Sequence, residues 1–280
     1  MNSLRELIEA NAVNGAKPAL ILGSAPSVKA IKKFSFNGVR IGVGDMPVRA
    51  PEFGPYDFWV TANSYYPLTW EETHFTDMQN SAKHTLVATM CPTTSNVSIE
   101  KVIDSINTGV RLGFLTVYDQ RHFYHESCLP INKLCCILAE KFIDSPSIQE
   151  ELAALMNSKS PAYGEGSTVT LHGFALAVLL RCNPIFIAGV ELPTRIAQYK
   201  SYNNWFRHGE KISSKLKRLV IQGSFFLGMK STDFGIAGRE NILMDFDSIS
   251  TIAHKLGINV FSLSKTSPLN GLNHIQYLKV

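Results

Sequence analysis

The residues of this sequence best suited to chemistry stand at the ends of short apolar runs. Gly23-Ser24-Ala25-Pro26-Ser27 follows Ala19 to Leu22 directly and precedes a helical pattern that reaches Lys33. Gly23 permits a sharp turn, Pro26 stiffens it, and Ser27 is placed to cap the helix. Free amides at such a helix start, together with its dipole, attract phosphate or another anion. An ordinary strand-to-helix turn needs the same residue types. Asp45 follows the second apolar run, in IGVGDMP, and Asn63 the third, in DFWVTANSYYP. Either side chain can hydrogen-bond ribose hydroxyls or a base edge, and the Asn amide both donates and accepts. Short polar residues also cap loops, so what singles out this pair is its joint placement beside the first turn.

A second Gly-rich turn, Gly164-Glu165-Gly166-Ser167-Thr168, introduces a long apolar helical pattern ending at Arg181. Gly166, Ser167 and Thr168 give another helix start with free amides, suited to an anion or to simple capping. His172 lies one turn into that helix, a position more typical of a packed residue than of a base. Glu191 ends the following run, IFIAGVE, where a carboxylate can bind ribose, assist catalysis or form a salt bridge. Further on, Tyr199, Tyr202, Trp205, Arg207 and His208 lie in one polar and aromatic stretch. Aromatic faces stack on sugars or bases, Arg pairs with phosphate, and His moves protons near neutral pH. An aromatic subdomain core would use the same residues.

Several chemistries lack their signatures. There is no GxGxxG and no GxxxxGK[ST], which disfavours dinucleotide enzymes and P-loop kinases. Asp245-Phe246-Asp247 has the form of a metal-holding DxD, but the pair is read as opening an amphipathic helix, where capping and the dipole favour acids. His122 and His125 have no second pair at zinc spacing, so no metal ligand set is assigned.

The elements that must position these residues alternate. Apolar runs at 19–22, 39–43, 58–61, 85–89, 115–118, 184–188 and 258–263 read as buried strands. Helical patterns at 4–12, 27–33, 131–142, 147–156, 167–181 and 245–256 lie between them. Strand alternating with helix predicts an α/β fold, a Rossmann-like doubly wound and mostly parallel sheet covered on both faces. The 280 residues suit one domain, with residues 191–235 forming a lid or small helical insertion.

Composition narrows the classes further. Hydrophobic residues make up 45% and charged ones 18%, as in ordinary folded proteins. The net charge of +4 is scattered, with a concentration only from Arg207 to Arg218. That favours anionic ligands, whereas a nucleic-acid binder would carry a basic stripe interleaved with aromatics. The five cysteines are odd in number and lack CxxC spacing, so they read as reduced thiols. Met1 to Ala12 carries no signal-peptide core, and no apolar run approaches the roughly 20 residues of a membrane span. A cytoplasmic protein is expected.

The strand-GSAPS-helix turn, the post-strand Asp45 and Asn63, and the GST-helix-strand-GVEL unit, in this order, resemble bacterial sialyltransferases of glycosyltransferase family 42. GSAPSV is also similar to the GxGPSL turn of archaeal 6-hydroxymethylpterin diphosphokinases, members of a broader Rossmann-like group. The matching blocks fall within Pro18 to Asn63 and Gly164 to Glu191, with a weaker one from Asp245 to Leu263. The sialyltransferase resemblance implies transfer of a sugar from a CMP-activated donor to a glycan-type acceptor, without a metal or other cofactor. It implies Gly23, Ser24, Pro26, Asp45, Asn63, Gly166, Ser167 and Thr168 as donor contacts, with Glu191 ending the block that follows. Where that family has Asn in the first turn and after the second strand, this chain has Ser24 and Asp45. Where its catalytic His precedes the last helix, the nearest positions are Arg239 and Glu240. His208 or Glu240 is thus the expected base, and Tyr199, Tyr202, Arg207 or Arg239 the group that neutralises the leaving phosphate. The rival readings are a pterin-type diphosphotransferase using ATP and magnesium, and a nucleotide-binding protein without activity. A homo-oligomer is compatible with each of them.

Overall fold

The computed structural model describes residues 8–9, 17–23, 25–31, 35–43, 46, 53–61, 82–87, 138–156, 169–191 and 236–280. Among them, seven strands form one sheet in which every pairing is parallel: β1 (Ala19–Leu22), β2 (Val39–Val43), β3 (Tyr56–Thr61), β4 (Ala82–Val87), β5 (Ile185–Ala188), β6 (Val260–Ser262) and β7 (Ile275–Tyr277). Their order across the sheet is β4-β3-β2-β1-β5-β6-β7. The chain therefore builds outward from β1 in one direction, returns, and builds outward from β5 in the other.

Right-handed crossovers in opposite directions put their connections on opposite faces, and the core divides accordingly. On one face Ala19, Ile21, Ile185 and Ile187 pack under three helices, α1 (Pro146–Met156), α2 (Val169–Leu179) and α3 (Ile236–Lys255). On the other, Leu20, Leu22 and Ala188 pack with Val28 and Ile31 of a short 3-10 helix, Pro26–Ile31. The period-two alternation of β1 and β5 thus serves two layers, and the fold is the doubly wound α/β, Rossmann-like class.

From Thr170 to Leu180 every residue of α2 and its final turn is buried, as an apolar helix must be when sheet and helices surround it. Its Phe174 stacks on Phe246 of α3 with centroids 6.1 Å apart. In α3, Ile242, Phe246, Ile249 and Ala253 form the core stripe at four-three-four spacing, while Met244 stays 64% exposed. The Lys255 ammonium at its end donates to the Ser147 carbonyl of α1 at 2.8 Å. No helix among the described residues is long and apolar enough to cross a membrane.

The structure moves several expected boundaries. The third strand opens at Tyr56 and the fourth spans Ala82–Val87, two or three residues earlier than expected. The last long helix begins at Ile236, nine residues before the expected start. Asp245-Phe246-Asp247 therefore lies mid-helix rather than at a helix start, and Asp245 is buried. Gly238 interrupts the helical pattern in sequence, yet the apolar stripe beyond it is enough to carry the helix through. β7 and the 3-10 turn Pro268–Gly271 were not expected at all, because three-residue strands leave almost no periodic signal. The expected strand at 115–118, nearly all of the expected helix at 4–12, and residues 192–235 of the lid lie outside the described residues.

Candidate functional site

Ligands of doubly wound sheets bind beyond the carboxyl ends of the strands, where the direction of winding reverses. Here that point falls between β1 and β5, paired in register from Ala19 with Ile185 to Leu22 with Ala188. The two turns that leave these strands are in contact. Gly23 N–H donates to the Ala188 carbonyl at 2.8 Å, and Ala25 N–H to the Gly189 carbonyl at 3.0 Å. A Cβ on Gly23 would stand 2.4 Å from the Gly189 oxygen, and one on Gly189 2.2 Å from the Gly23 oxygen. Gly189 also has φ +70°, in the left-handed region. Two glycines meeting backbone to backbone make the floor of the crevice.

The segment after β6 holds this floor in place. The buried Ser264 hydroxyl accepts from the Gly189 N–H at 3.2 Å and shares a hydrogen bond with the Ser27 hydroxyl at 2.9 Å. It thereby ties both turns to one atom. Ser267 Oγ donates to the Val190 carbonyl at 2.6 Å and accepts from Leu269 N–H, capping the 3-10 turn. Thr266 Oγ1 donates to Glu191 Oε1 at 3.2 Å. Asn270 Nδ2 donates to the carbonyls of Ser264 and Lys265, at 3.1 and 3.0 Å, fixing the loop from below. Sequence reasoning passed over this SLSKTSPLN segment. Its signal is a dense polar cluster directly after an apolar run, the same pattern that singled out Asp45 and Asn63.

Of the expected site residues, the structure places Gly23, Pro26 and Glu191 together at this point. Gly23 ends β1, Pro26 opens the 3-10 helix, and Glu191 lies three residues beyond β5. The chemistry of the first turn differs from expectation. Its helix is a six-residue 3-10 segment with Ser27 inside it, so Ser27 does not cap it but bonds Ser264 instead. The amides of Gly23 and Ala25, just before the helix start, are used by carbonyls of the β5 strand and turn. The cause is the closeness of the two glycine turns.

Arg239 and Glu240 fall in the first turns of α3 rather than before a helix. Since α3 leads into β6 of a parallel sheet, its start lies toward the carboxyl end of the strands. At 20 residues, about 30 Å, it is far longer than the three-residue strand it serves. His172 is buried within α2, as a packed histidine. Ser24, Asp45, Asn63, Gly166, Ser167, Thr168, Tyr199, Tyr202, Arg207 and His208 lie outside the described residues.

No protein-family model and no curated protein sequence matches the chain. Solved structures do match. A sialyltransferase CstII from Campylobacter jejuni in complex with the substrate analogue CMP-3FNeuAc aligns with a TM-score of 0.52 at 12% identity, covering 94% of this chain and 86% of that one. A variant of CST-II in complex with CMP aligns with a TM-score of 0.54 at 12% identity, over 94% and 87%. The monofunctional α-2,3-sialyltransferase Cst-I from Campylobacter jejuni gives 0.54 at 13% identity, over 94% and 80%. At such identities the likeness is one of fold: the described residues share the Rossmann-like architecture of those sialyltransferases.

Proposed function

We propose that the chain is a metal-independent glycosyltransferase that binds a CMP-activated sugar at the β1/β5 switch point and transfers the sugar to a glycan-type acceptor. The observation that carries this reading is the Gly23–Gly189 floor clasped by Ser264, at the place where doubly wound sheets hold nucleotides. The likeness in fold to sialyltransferases, two of them solved with CMP or a CMP-sugar analogue, supports the choice of nucleotide.

In this reading Gly23, Ser24, Pro26, Asp45, Asn63, Gly166, Ser167, Thr168 and Glu191 surround the donor. Residues 191–235 close over the acceptor. His208 or Glu240 takes the proton of the acceptor hydroxyl, and Tyr199, Tyr202, Arg207 or Arg239 stabilises the charge on the departing CMP phosphate. A magnesium-dependent ATP reaction finds less support, because Asp245, one of the carboxylates it would recruit, is buried inside α3.

Thermal melting with CMP, UDP, GDP and ATP, each with and without magnesium, tests the reading. CMP is expected to raise Tm without added magnesium, and the absence of a shift with any cytidine nucleotide sinks the proposal. Incubation with a CMP-sugar then separates an enzyme from a silent binding protein, since only the former releases CMP.

A further inference from the structure

We propose that the Lys265 ammonium adds a positive charge that meets the anionic phosphate of the ligand, so that the β6 loop is a third wall of the nucleotide site. The inference rests on the nucleotide reading of the crevice and names a group outside every residue so far assigned to it. Its starting point is the state of the floor. The amides that a first-strand turn ordinarily offers to an anion are spent here: Gly23 N–H on Ala188, Ala25 N–H on Gly189, and Gly189 N–H on Ser264. None of these three N–H groups is left for a phosphate, and a side-chain cation beside them would supply the charge they do not offer.

Most basic groups whose side chains the structure describes stand at the other end of the strands. Lys17 precedes β1, Arg40 and Lys83 lie at the starts of β2 and β4, Arg181 follows α2, and Lys255 ends α3. Beyond the carboxyl ends stand Lys265, after β6, and Lys279, after β7. β6 adjoins β5, one strand spacing of about 5 Å from the switch-point pair; β7 is a further strand away.

The backbone at Lys265 is fixed on both sides. Ser264 is bonded to Ser27 and Gly189, Thr266 to Glu191, and the Lys265 carbonyl accepts from Asn270. The side chain itself is exposed, and among the described residues it makes no ion pair or hydrogen bond. A lysine on a loop fixed on both sides, with no partner among the described residues, is suited to a phosphate as a point charge.

Calorimetric titration of the wild type, Lys265→Gln and Lys265→Arg with CMP, cytidine and inorganic pyrophosphate tests the assignment. Lys265→Gln is expected to weaken CMP about tenfold at low salt, the scale of one charge-assisted contact, and to leave cytidine unchanged. Lys265→Arg is expected to keep most of the CMP affinity. An unchanged ratio of CMP to cytidine affinity in Lys265→Gln overturns the proposal. A wild type that binds pyrophosphate but neither CMP nor cytidine, and loses it in Lys265→Gln, keeps Lys265 as the anion contact while sinking the CMP reading. A wild type that binds none of the three overturns both.

Discussion

The two ends of the parallel strands are finished with different chemistry. At the amino end, long and charged side chains close the structure. Asp57 accepts from Lys83 at 2.7 Å and from the Arg40 amide at 2.9 Å, and Asn183 bridges the Gly257 carbonyl and the Asn259 amide. Arg181 lies over the Phe142 ring at 4.6 Å. Helices α2 and α3 both finish there with a paired set of reversed hydrogen bonds, through Arg181 at φ 59° in one and Gly257 at φ 73° in the other. At the carboxyl end the closing groups are two glycines, the hydroxyls of Ser264 and Ser267 bonded to backbone, and Thr266 bonded to the Glu191 carboxylate. The amino end tolerates bulk and charge, while the carboxyl end keeps everything short where the turns meet. The first arrangement has slack for substitution, and the second makes one rigid backbone surface where the turns meet.

If this contrast is right, substitutions should sort by the end they fall on. The largest effect belongs to Gly189→Ala, which combines a positive φ with a Cβ 2.2 Å from the Gly23 oxygen. It is expected to cost about 3 kcal/mol, lower Tm by roughly 5 °C and abolish CMP-induced stabilisation. Ser264→Ala comes next. It leaves the Gly189 amide without its partner, at about 2 kcal/mol, and hydrogen exchange should show that amide opening faster while CMP binding weakens.

At the amino end, burial and the neighbouring Asp57 push the Cys182 thiol up to about 12 from an ordinary 9.0. The folded state holds this proton more tightly than the unfolded chain. The resulting stability is therefore complete below pH 9 and lost as pH rises toward 12, by roughly 1 kcal/mol at pH 10. Cys182→Ala should flatten that alkaline slope in urea titrations, and iodoacetamide at pH 8 should leave native Cys182 unlabelled. Asp57→Asn should cost only about 0.5 kcal/mol, because Lys83 is largely exposed, with no change in CMP affinity. Smallest is Arg181→Gly. Relief of the left-handed backbone, about 1 kcal/mol, is offset by about 0.5 kcal/mol of lost contact with Phe142, leaving a slight rise in Tm. A large loss of CMP binding in either of these last two would break the contrast.

The parallel α/β class and the floor residue Gly23 were legible in the sequence because buried parallel strands are short apolar runs and tight turns demand glycine. The role of Gly189 was not. Its need for a missing Cβ arises from a turn far away in the chain, and no local pattern encodes that. Ser264 was hidden for the same reason: a serine after a strand looks like loop polarity until its hydroxyl is seen between two turns. The bonds of the Gly23 and Ala25 amides were hidden as well, since their partners come from β5 and the turn after it. The early start of α3 was masked by Gly238, a local breaker overridden by packing.

The glycine contact also joins parts of the chain made at different times. β1 to β4 come from the first third of the sequence, whereas β5, Ser264 and Lys265 come from the last. A growing polypeptide can carry its first turn long before it has a floor beneath it. Ribosomal synthesis must pass Ser264 before the clasped Gly23–Gly189 contact exists, so that contact is a property of the finished fold, and its formation reports that folding is complete.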